Sequence, residues 1–142
     1  MFRLLVLSIA LALPVVVQAA DLLLSDLRAR HAVELSADDL RQLMPNARVA
    51  SVHENGSVRH WKNEPNGKFL ASSNVRGKLK TLPSQGRGTW RVSDDGTYCV
   101  TIEWPRLTEN WCKYLFKLDG KYYGVDSVAN PHAKALDFEF SP

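Results

Sequence analysis

Two histidines, His53 and His60, are the residues of this 142-residue chain best suited by type and spacing to hold a metal ion. Imidazole nitrogens are common ligands of zinc and copper. A two-residue turn at Asn55–Gly56 would place both side chains on one face of a β-hairpin, within reach of a shared ion. A third ligand would have to come from Glu64 or His132. Two surface histidines on a polar strand face explain the same pattern more simply, so metal binding is the alternative interpretation.

Aromatic side chains offer a second chemistry, which is the binding of a ligand or partner. Eight Trp, Tyr and Phe residues lie within residues 90–123, and most of them must pack in the core of a small β domain. Trp104 and Trp111 flank the connection 105–110, and together with Arg106 they are placed to line the open end of a barrel. Small barrels hold ligands in such openings. We therefore predict Trp104, Arg106 and Trp111 as binding residues, with packing alone as the competing explanation.

The only two cysteines, Cys99 and Cys112, are predicted to form a disulfide between neighbouring strands. Two-residue turns at Asp95–Gly96 and Asp119–Gly120, with Pro105–Arg106 as the connection between them, allow the two cysteines to face each other. Two buried free thiols are the alternative. An oxidising compartment favours the disulfide, and the spacing lacks the CxxC pattern of redox catalysts.

No catalytic arrangement stands out in the sequence. Serines and histidines are present, but there is no Gly-x-Ser-x-Gly motif and no strand-turn-helix pattern to present a nucleophile. Gly86-Arg87-Gly88 lacks the flanking pattern and the following helix of a phosphate-binding loop. The acidic pairs Asp38-Asp39 and Asp94-Asp95 are explained by a helix N-terminus and a turn. We expect a protein that is not an enzyme and that uses no cofactor.

The first twenty residues are typical of a secretory signal peptide. Arg3 provides a basic start, residues 4–17 are apolar, and Val17-Gln18-Ala19 resembles a cleavage motif. Without Arg3, 17 basic residues face 15 acidic ones, and this net charge of +2 does not favour a nucleic-acid partner. No later stretch is long and apolar enough to cross a membrane. We expect a periplasmic or secreted protein with a signal peptide (1–20), a lead-in or tether (21–34) and one β-rich domain (35–142).

The elements expected in the domain are one short helix and a series of strands. Ser36 is a good N-cap and Pro45 ends the helix. After it, alternating residues and Asx-Gly turns predict antiparallel strands. The predicted strands include Val49–Glu54, Ser57–Asn63, Lys68–Ser73, Val75–Leu82, Gly88–Ser93 and Lys134–Phe140. The fold class is therefore mainly β, an antiparallel up-and-down meander that closes into a small barrel or strongly curved sheet, with one short N-terminal helix and one cross-strand disulfide. A β-sandwich is the alternative.

The alternation around the cysteines leaves one question open. Tyr98, Val100, Ile102 and Trp104 share a face and should be core. Across the hairpin, apolar residues such as Phe116 fall on the opposite face. Either a β-bulge reverses the alternation there, or another part of the chain covers the outer face.

The order of these motifs resembles the domain of unknown function 995 family of small exported proteins from Gram-negative bacteria. The resemblance extends from Leu35 to Val125. It implies export and a β-rich fold, but the family carries no known activity, so no functional residue can be transferred. The matching motifs are Leu35-Ser36-Ala37-Asp38-Asp39-Leu40, Gly88-x-Trp90-x-Val92, Asp95-Gly96-x-x-Cys99 and Trp111-Cys112.

Together these observations predict a non-catalytic exported binding module. Its partner would be a small ligand or an envelope protein, and one version of this hypothesis is an inhibitor of a cell-wall lytic enzyme. Fold analogy alone supports that version. The alternatives are a periplasmic metal-binding protein that uses His53 and His60, and a structural part of an envelope assembly.

Overall fold

The computed structural model describes residues 20–74 and 84–142. Apart from Ala20, the predicted signal peptide lies outside these ranges, and so does the predicted strand Val75–Leu82. The helices are α1 (Leu24–Ala29) and α2 (Ala37–Leu43). The strands are β1 (Val33–Glu34), β2 (Arg48–Val52), β3 (Val58–Lys62), β4 (Lys68–Asn74), β5 (Ser84–Val92), β6 (Thr97–Glu103), β7 (Thr108–Leu118), β8 (Lys121–Val125) and β9 (Leu136–Ser141).

Eight of the strands close into an antiparallel barrel. Each of β2 to β8 pairs with the strand that follows it, and β9 returns to pair with β2. Closure leaves no free edge in this ring, which is the usual physical reason for a meander to form a barrel. The short strand β1 pairs with the end of β7, beyond the part of β7 that pairs with β6. The predicted barrel is confirmed, and the sandwich is not formed.

The turns set the pairing of the strands, and two of them differ from the prediction. At Asp119–Gly120 both residues have positive φ, so the turn has two residues and Leu118 pairs with Lys121 as predicted. At Asn55–Gly56 and Asp95–Gly96 only the glycine has positive φ. These connections have three residues, as in a turn with a G1 bulge, and the pairing is shifted by one residue.

The barrel interior is apolar at one end, where α2 closes it. Leu40 of α2 and its C-cap residue Met44 are fully buried in the same cluster as Trp61 and Tyr98. Ser36 begins the helix as predicted, because its hydroxyl accepts a hydrogen bond from the backbone amide of Asp39 at 3.1 Å. Arg41 of this helix forms an ion pair with Asp94 in the turn between β5 and β6. We call this end the closed end.

The side-chain amide of Asn63 forms hydrogen bonds with three residues at the closed end. Its Oδ1 accepts hydrogen bonds from the Tyr98 hydroxyl at 2.7 Å and from Nε1 of Trp61 at 3.0 Å. Its Nδ2 donates to the backbone carbonyl of Met44 at 3.1 Å. Because Asn63 is fully buried, these bonds are needed to offset the loss of its contacts with water.

A second apolar cluster lies on the outer face of the barrel. Leu24 and Leu27 of α1 are fully buried there against Phe116 and Val125. The pairing of β7 with β6 and β8 runs without a break through this region. The apolar residues of both faces are therefore explained by a covered outer face and not by a bulge.

Helix α1 lies within residues 21–34, which were predicted as a partly helical lead-in or a tether because no good cap is evident in the sequence. It begins instead with the Asp26 carboxylate, which accepts from the backbone amide of Leu23 at 2.9 Å. The chain therefore has two helices in its described part, where one was predicted.

The predicted disulfide joins Cys99 of β6 to Cys112 of β7, with the two Cα atoms 4.0 Å apart. The two residues are direct partners in the sheet. Both lie on the outer face, because their neighbours Tyr98, Val100 and Trp111 face the interior cluster. The disulfide therefore links β6 to β7 on the outside of the barrel and does not occupy its interior.

Candidate functional site

The end of the barrel opposite α2, which we call the mouth, is the candidate site. Here β2 connects to β3, β6 connects to β7 and β8 connects to β9. Cavities of about 490 Å³ and about 270 Å³ lie at this end and share Arg59 and Glu109 in their walls. The lining of the mouth includes Ser51, His53, Ser57, Arg59, Ser73, Ser84, Trp104, Arg106, Glu109, Trp111, Lys113 and Asp126.

A buried ion pair between Arg59 and Glu109 crosses the mouth. Oε1 of Glu109 accepts from Nε of Arg59 at 2.6 Å and lies 2.5 Å from Nη2. The two side chains are only 10% and 8% exposed. Because removing two charges from water is unfavourable, their place inside the barrel requires this close pairing.

Further contacts fix the orientation of Arg59. Its Nη1 donates to the Ser57 hydroxyl at 2.7 Å, and that hydroxyl donates to Oδ1 of Asn55 at 2.6 Å. The guanidinium carbon also lies 5.8 Å from the centre of the Trp104 ring, a distance that allows a cation–π contact. These contacts link the β2–β3 turn to the β6–β7 connection.

Lys113 and Asp126 form a second pair at this end. Nζ of Lys113 donates to Oδ1 of Asp126 at 2.5 Å. The lysine side chain is 10% exposed and the aspartate side chain is 67% exposed. Arg59, Glu109, Lys113 and Asp126 therefore form two ion pairs at the mouth, whose lining also includes the charged residues Glu54 and Arg106.

The structure brings the predicted binding residues to the mouth. Trp104 is partly buried, and its Nε1 donates to Oε1 of Glu109 at 2.8 Å. Arg106 is exposed in the connection between β6 and β7 and lines the larger cavity with Trp104. Trp111 lines the smaller cavity and also packs against Trp61, at a ring separation of 6.3 Å.

The predicted arrangement of His53 and His60 is wrong. The three-residue turn pairs Ala50 with His60 and makes the His53 amide donate to the Ser57 carbonyl at 2.9 Å. His53 therefore lies on the inner face and lines the smaller cavity, while His60 is exposed on the outer face. Since a one-residue shift reverses the face of a strand residue, the two imidazoles cannot share an ion.

Within 20–74 and 84–142, no three His, Cys, Asp or Glu side chains are grouped closely enough to hold a metal ion.

Sequence reasoning missed Arg59, Glu109 and Lys113, although the strand pattern contained a signal for them. Arg59 is two residues from Trp61, and Glu109 and Lys113 are each two residues from Trp111. Residues two apart in a strand face the same side. Charged residues at core-facing positions of strands are a sign of a buried polar site.

The oxygen atoms of Glu109 are not used equally. Oε1 accepts from Arg59 and from Trp104, whereas Oε2 is buried and has no hydrogen-bond partner among residues 20–74 and 84–142. Nearly all buried polar atoms in folded proteins have a partner, either in the protein or in ordered water. Oε2 of Glu109 is therefore a buried acceptor in the wall of the mouth that has no donor among these residues.

The fold and the mouth define a small eight-stranded antiparallel barrel protein with an open, polar-lined end. The chain belongs to the family described as "Protein of unknown function (DUF995)", whose model matches residues 6–112. The family resemblance is thereby confirmed, although the match begins before Leu35 and ends before Val125. Neither the curated proteins nor the solved structures contain a match to this chain. In the described residues no helix has the length and hydrophobicity needed to span a bilayer.

Proposed function

We propose that this protein is a non-catalytic binding module whose ligand enters the mouth of the barrel. The observation that carries the proposal is the buried Arg59–Glu109 ion pair, with the partly exposed Lys113–Asp126 pair beside it, at the open end of a barrel whose other end is mainly apolar. Buried charges contribute little to stability compared with well-packed apolar residues. Their retention beside an open cavity is better explained by recognition of a ligand.

The proposal that the protein is not an enzyme has support from the contacts in the mouth. Arg59 pairs with Glu109 and Lys113 pairs with Asp126, and in the described part of the chain no serine hydroxyl is hydrogen-bonded to a histidine. A nucleophile activated by a general base would require such a contact. The groups in the mouth are arranged to bind and orient a molecule.

We also propose that the protein is exported to an oxidising compartment, the periplasm or the exterior. The Cys99–Cys112 disulfide supports this, because disulfides persist mainly outside the reducing cytosol. Fractionation of cells followed by thiol alkylation checks the point. We expect the protein in the extracytoplasmic fraction with no alkylated cysteine, and a reduced protein in the cytosolic fraction would contradict it.

The test of ligand binding uses ¹⁵N-labelled full chain and a set of small probes. The set contains neutral sugars, sugar acids, amines and fatty acids. A binding probe should shift the amide signals of Ser57, Trp104 and Glu109 and leave those of the closed end in place. A set in which no probe shifts the mouth signals, or in which the shifts spread evenly over the barrel, would overturn the proposal.

Variants sharpen this test. Trp104→Ala and Arg106→Ala should each weaken binding of such a probe without unfolding the protein. Thr89→Ala, on the exposed outer face of β5, is the control and should bind like the natural chain. Unchanged binding in both mouth variants would remove this site from consideration.

A protein partner is the second candidate, and the exposed side chain of Leu107 favours it. Leu107 is 57% exposed beside Arg106 in the β6–β7 connection. An inhibitor of a cell-wall lytic enzyme would use such a projecting loop. Addition of the protein to a muramidase assay tests this version: we expect inhibition that Leu107→Asp removes, and full muramidase activity with excess protein would exclude it.

A further inference from the structure

We infer that the ligand of the mouth is a neutral saccharide, one of whose hydroxyl groups donates a hydrogen bond to Oε2 of Glu109. This inference rests on the proposed function, because it names the chemical class of the molecule that enters the mouth. Its starting point is the unsatisfied oxygen of a side chain that is more than nine-tenths buried.

Among the described residues, the mouth supplies no donor to Oε2 of Glu109. Oε1 of Glu109 receives hydrogen bonds from two residues, Arg59 and Trp104, and it is held in one position by them. Oε2 then has a fixed direction and, within the described residues, no protein donor. An acceptor that is buried and preorganised in this way gains most from an N–H or O–H group on the ligand.

The ligand group that donates to Oε2 of Glu109 is uncharged. Glu109 is already neutralised by Arg59, and Lys113 by Asp126. An ammonium group at Oε2 would lie close to the Arg59 guanidinium and be repelled by it. A carboxylate or phosphate there would face the Glu109 oxygen itself. A hydroxyl group avoids both repulsions and loses less hydration on entering the barrel.

The rest of the lining of the mouth suits a molecule with many hydroxyl groups and an apolar face. The larger cavity is lined by short polar side chains that both donate and accept, namely Asn55, Ser57, Ser73 and Ser84. The same cavity is lined by Trp104, whose ring can pack against the C–H face of a sugar. Saccharides combine these two properties, whereas fatty acids and simple amines do not.

The experiment is isothermal titration of the full chain with six probes. Three are neutral sugars (N,N′-diacetylchitobiose, maltose and trehalose), and the others are glucosamine, glucuronate and laurate. We expect at least one neutral sugar to bind and the charged and fatty probes to bind at least tenfold more weakly. Deoxy analogues of the bound sugar, each lacking one hydroxyl, then identify the donor: one of them should lose tenfold or more in affinity.

Variants provide a second readout. Glu109→Gln should lower the affinity for the bound sugar by at least tenfold. Glu103→Gln, on the exposed outer face of β6, should leave this affinity unchanged. Glu109→Gln also breaks a buried ion pair, so it requires a check of folding by circular dichroism. The deoxy series on the natural chain needs no variant and keeps the inference testable if this one unfolds.

The outcomes separate the inference from the proposed function. Binding of glucosamine, glucuronate or laurate at the mouth, with no binding of neutral sugars, overturns the inference and leaves the binding function standing. No binding of any probe, together with no shift of the mouth amide signals for the wider set, overturns both. A deoxy series in which every analogue binds like the parent sugar overturns the inference alone.

Discussion

Arg59 and Glu109 face each other inside the barrel, and the arginine binds only one of the two carboxylate oxygens. Nε of Arg59 donates to Oε1 at 2.6 Å, while Oε2 has no partner in the described residues. A bidentate pair, which is the common geometry of arginine and carboxylate, would have satisfied both oxygens. The one-sided contact leaves a buried acceptor without a donor in a residue that lines both cavities of the mouth.

The energetic consequence of this pair can be measured by removing one partner. Arg59→Leu should lower the free energy of unfolding by about 3–5 kcal/mol, because it leaves the Glu109 carboxylate buried without its cation. Arg59→Leu combined with Glu109→Leu should lose clearly less. Urea unfolding at neutral pH provides the values. Arg87→Leu, on the exposed outer face of β5, is the control, and a double variant as unstable as the single one would contradict the account.

The pH dependence of stability should reveal Tyr98. Burial raises the pKa of the Tyr98 hydroxyl above its ordinary value of 10.0, although the hydrogen bond from Trp61 opposes this. A raised pKa in the folded state means that the stabilisation is complete below pH 10 and is lost as the pH rises further. The free energy of unfolding should therefore fall above pH 10, by up to about 1.4 kcal/mol per pH unit for one proton.

The comparison that isolates this effect is Tyr98→Phe. Urea unfolding between pH 8 and pH 11.5 should show a shallower alkaline slope for this variant than for the natural chain. Tyr114→Phe retains Tyr98 and should keep the steeper slope. Equal slopes for all three proteins would show that Tyr98 ionises as readily in the folded chain as in the unfolded one.

Removal of the disulfide should lower the free energy of unfolding, but the barrel should still fold. Cys99→Ala with Cys112→Ala opens a loop whose ends are 13 residues apart in sequence, and the chain-entropy estimate for such a loop is about 3 kcal/mol. The far-UV circular dichroism should remain that of a β protein, since the two strands stay paired around this position. A variant with unchanged urea midpoint, or one that is unfolded in buffer, would disagree with this expectation.

A close contact at Gly88 predicts the effect of one methyl group. A Cβ atom built at this glycine would lie 2.0 Å from Cζ of Phe69, its pairing partner on the adjacent strand β4. Gly88→Ala should therefore force the Phe69 ring to move, at a cost of about 1–3 kcal/mol. Gly88→Ala in a Phe69→Leu background should be tolerated better. Thermal unfolding measures both, and equal losses in the two backgrounds would exclude this explanation.

Much of the fold was predictable from local signals. The Asx-Gly turns, the Ser36 cap and the alternation of Tyr98, Val100 and Ile102 each identify an element by short-range chemistry. The pairing of Cys99 with Cys112 followed from these turns and is confirmed. Helix α1 was predicted only as part of a lead-in or tether because its first turn is capped by Asp26 from within the helix and its apolar face depends on distant residues.

The candidate site was predicted less completely, for a reason that lies in the turns. The sequence does not distinguish a two-residue Asn-Gly turn from a three-residue turn that ends in glycine. This difference of one residue in turn length decides which face of the sheet His53 occupies. The tryptophans and Arg106 were placed correctly at the mouth, since their position depends only on the connection that they flank. Arg59 and Glu109 are 50 residues apart, and only closure of the barrel brings them together.

The most direct measurement of the central claim is a crystal structure of the full chain with the neutral sugar that binds best. We predict that the sugar lies in the mouth with one hydroxyl oxygen about 2.7 Å from Oε2 of Glu109. A sugar bound elsewhere, or a Glu109 whose Oε2 accepts only from the protein or from a buried water while the mouth holds no sugar, would contradict the account.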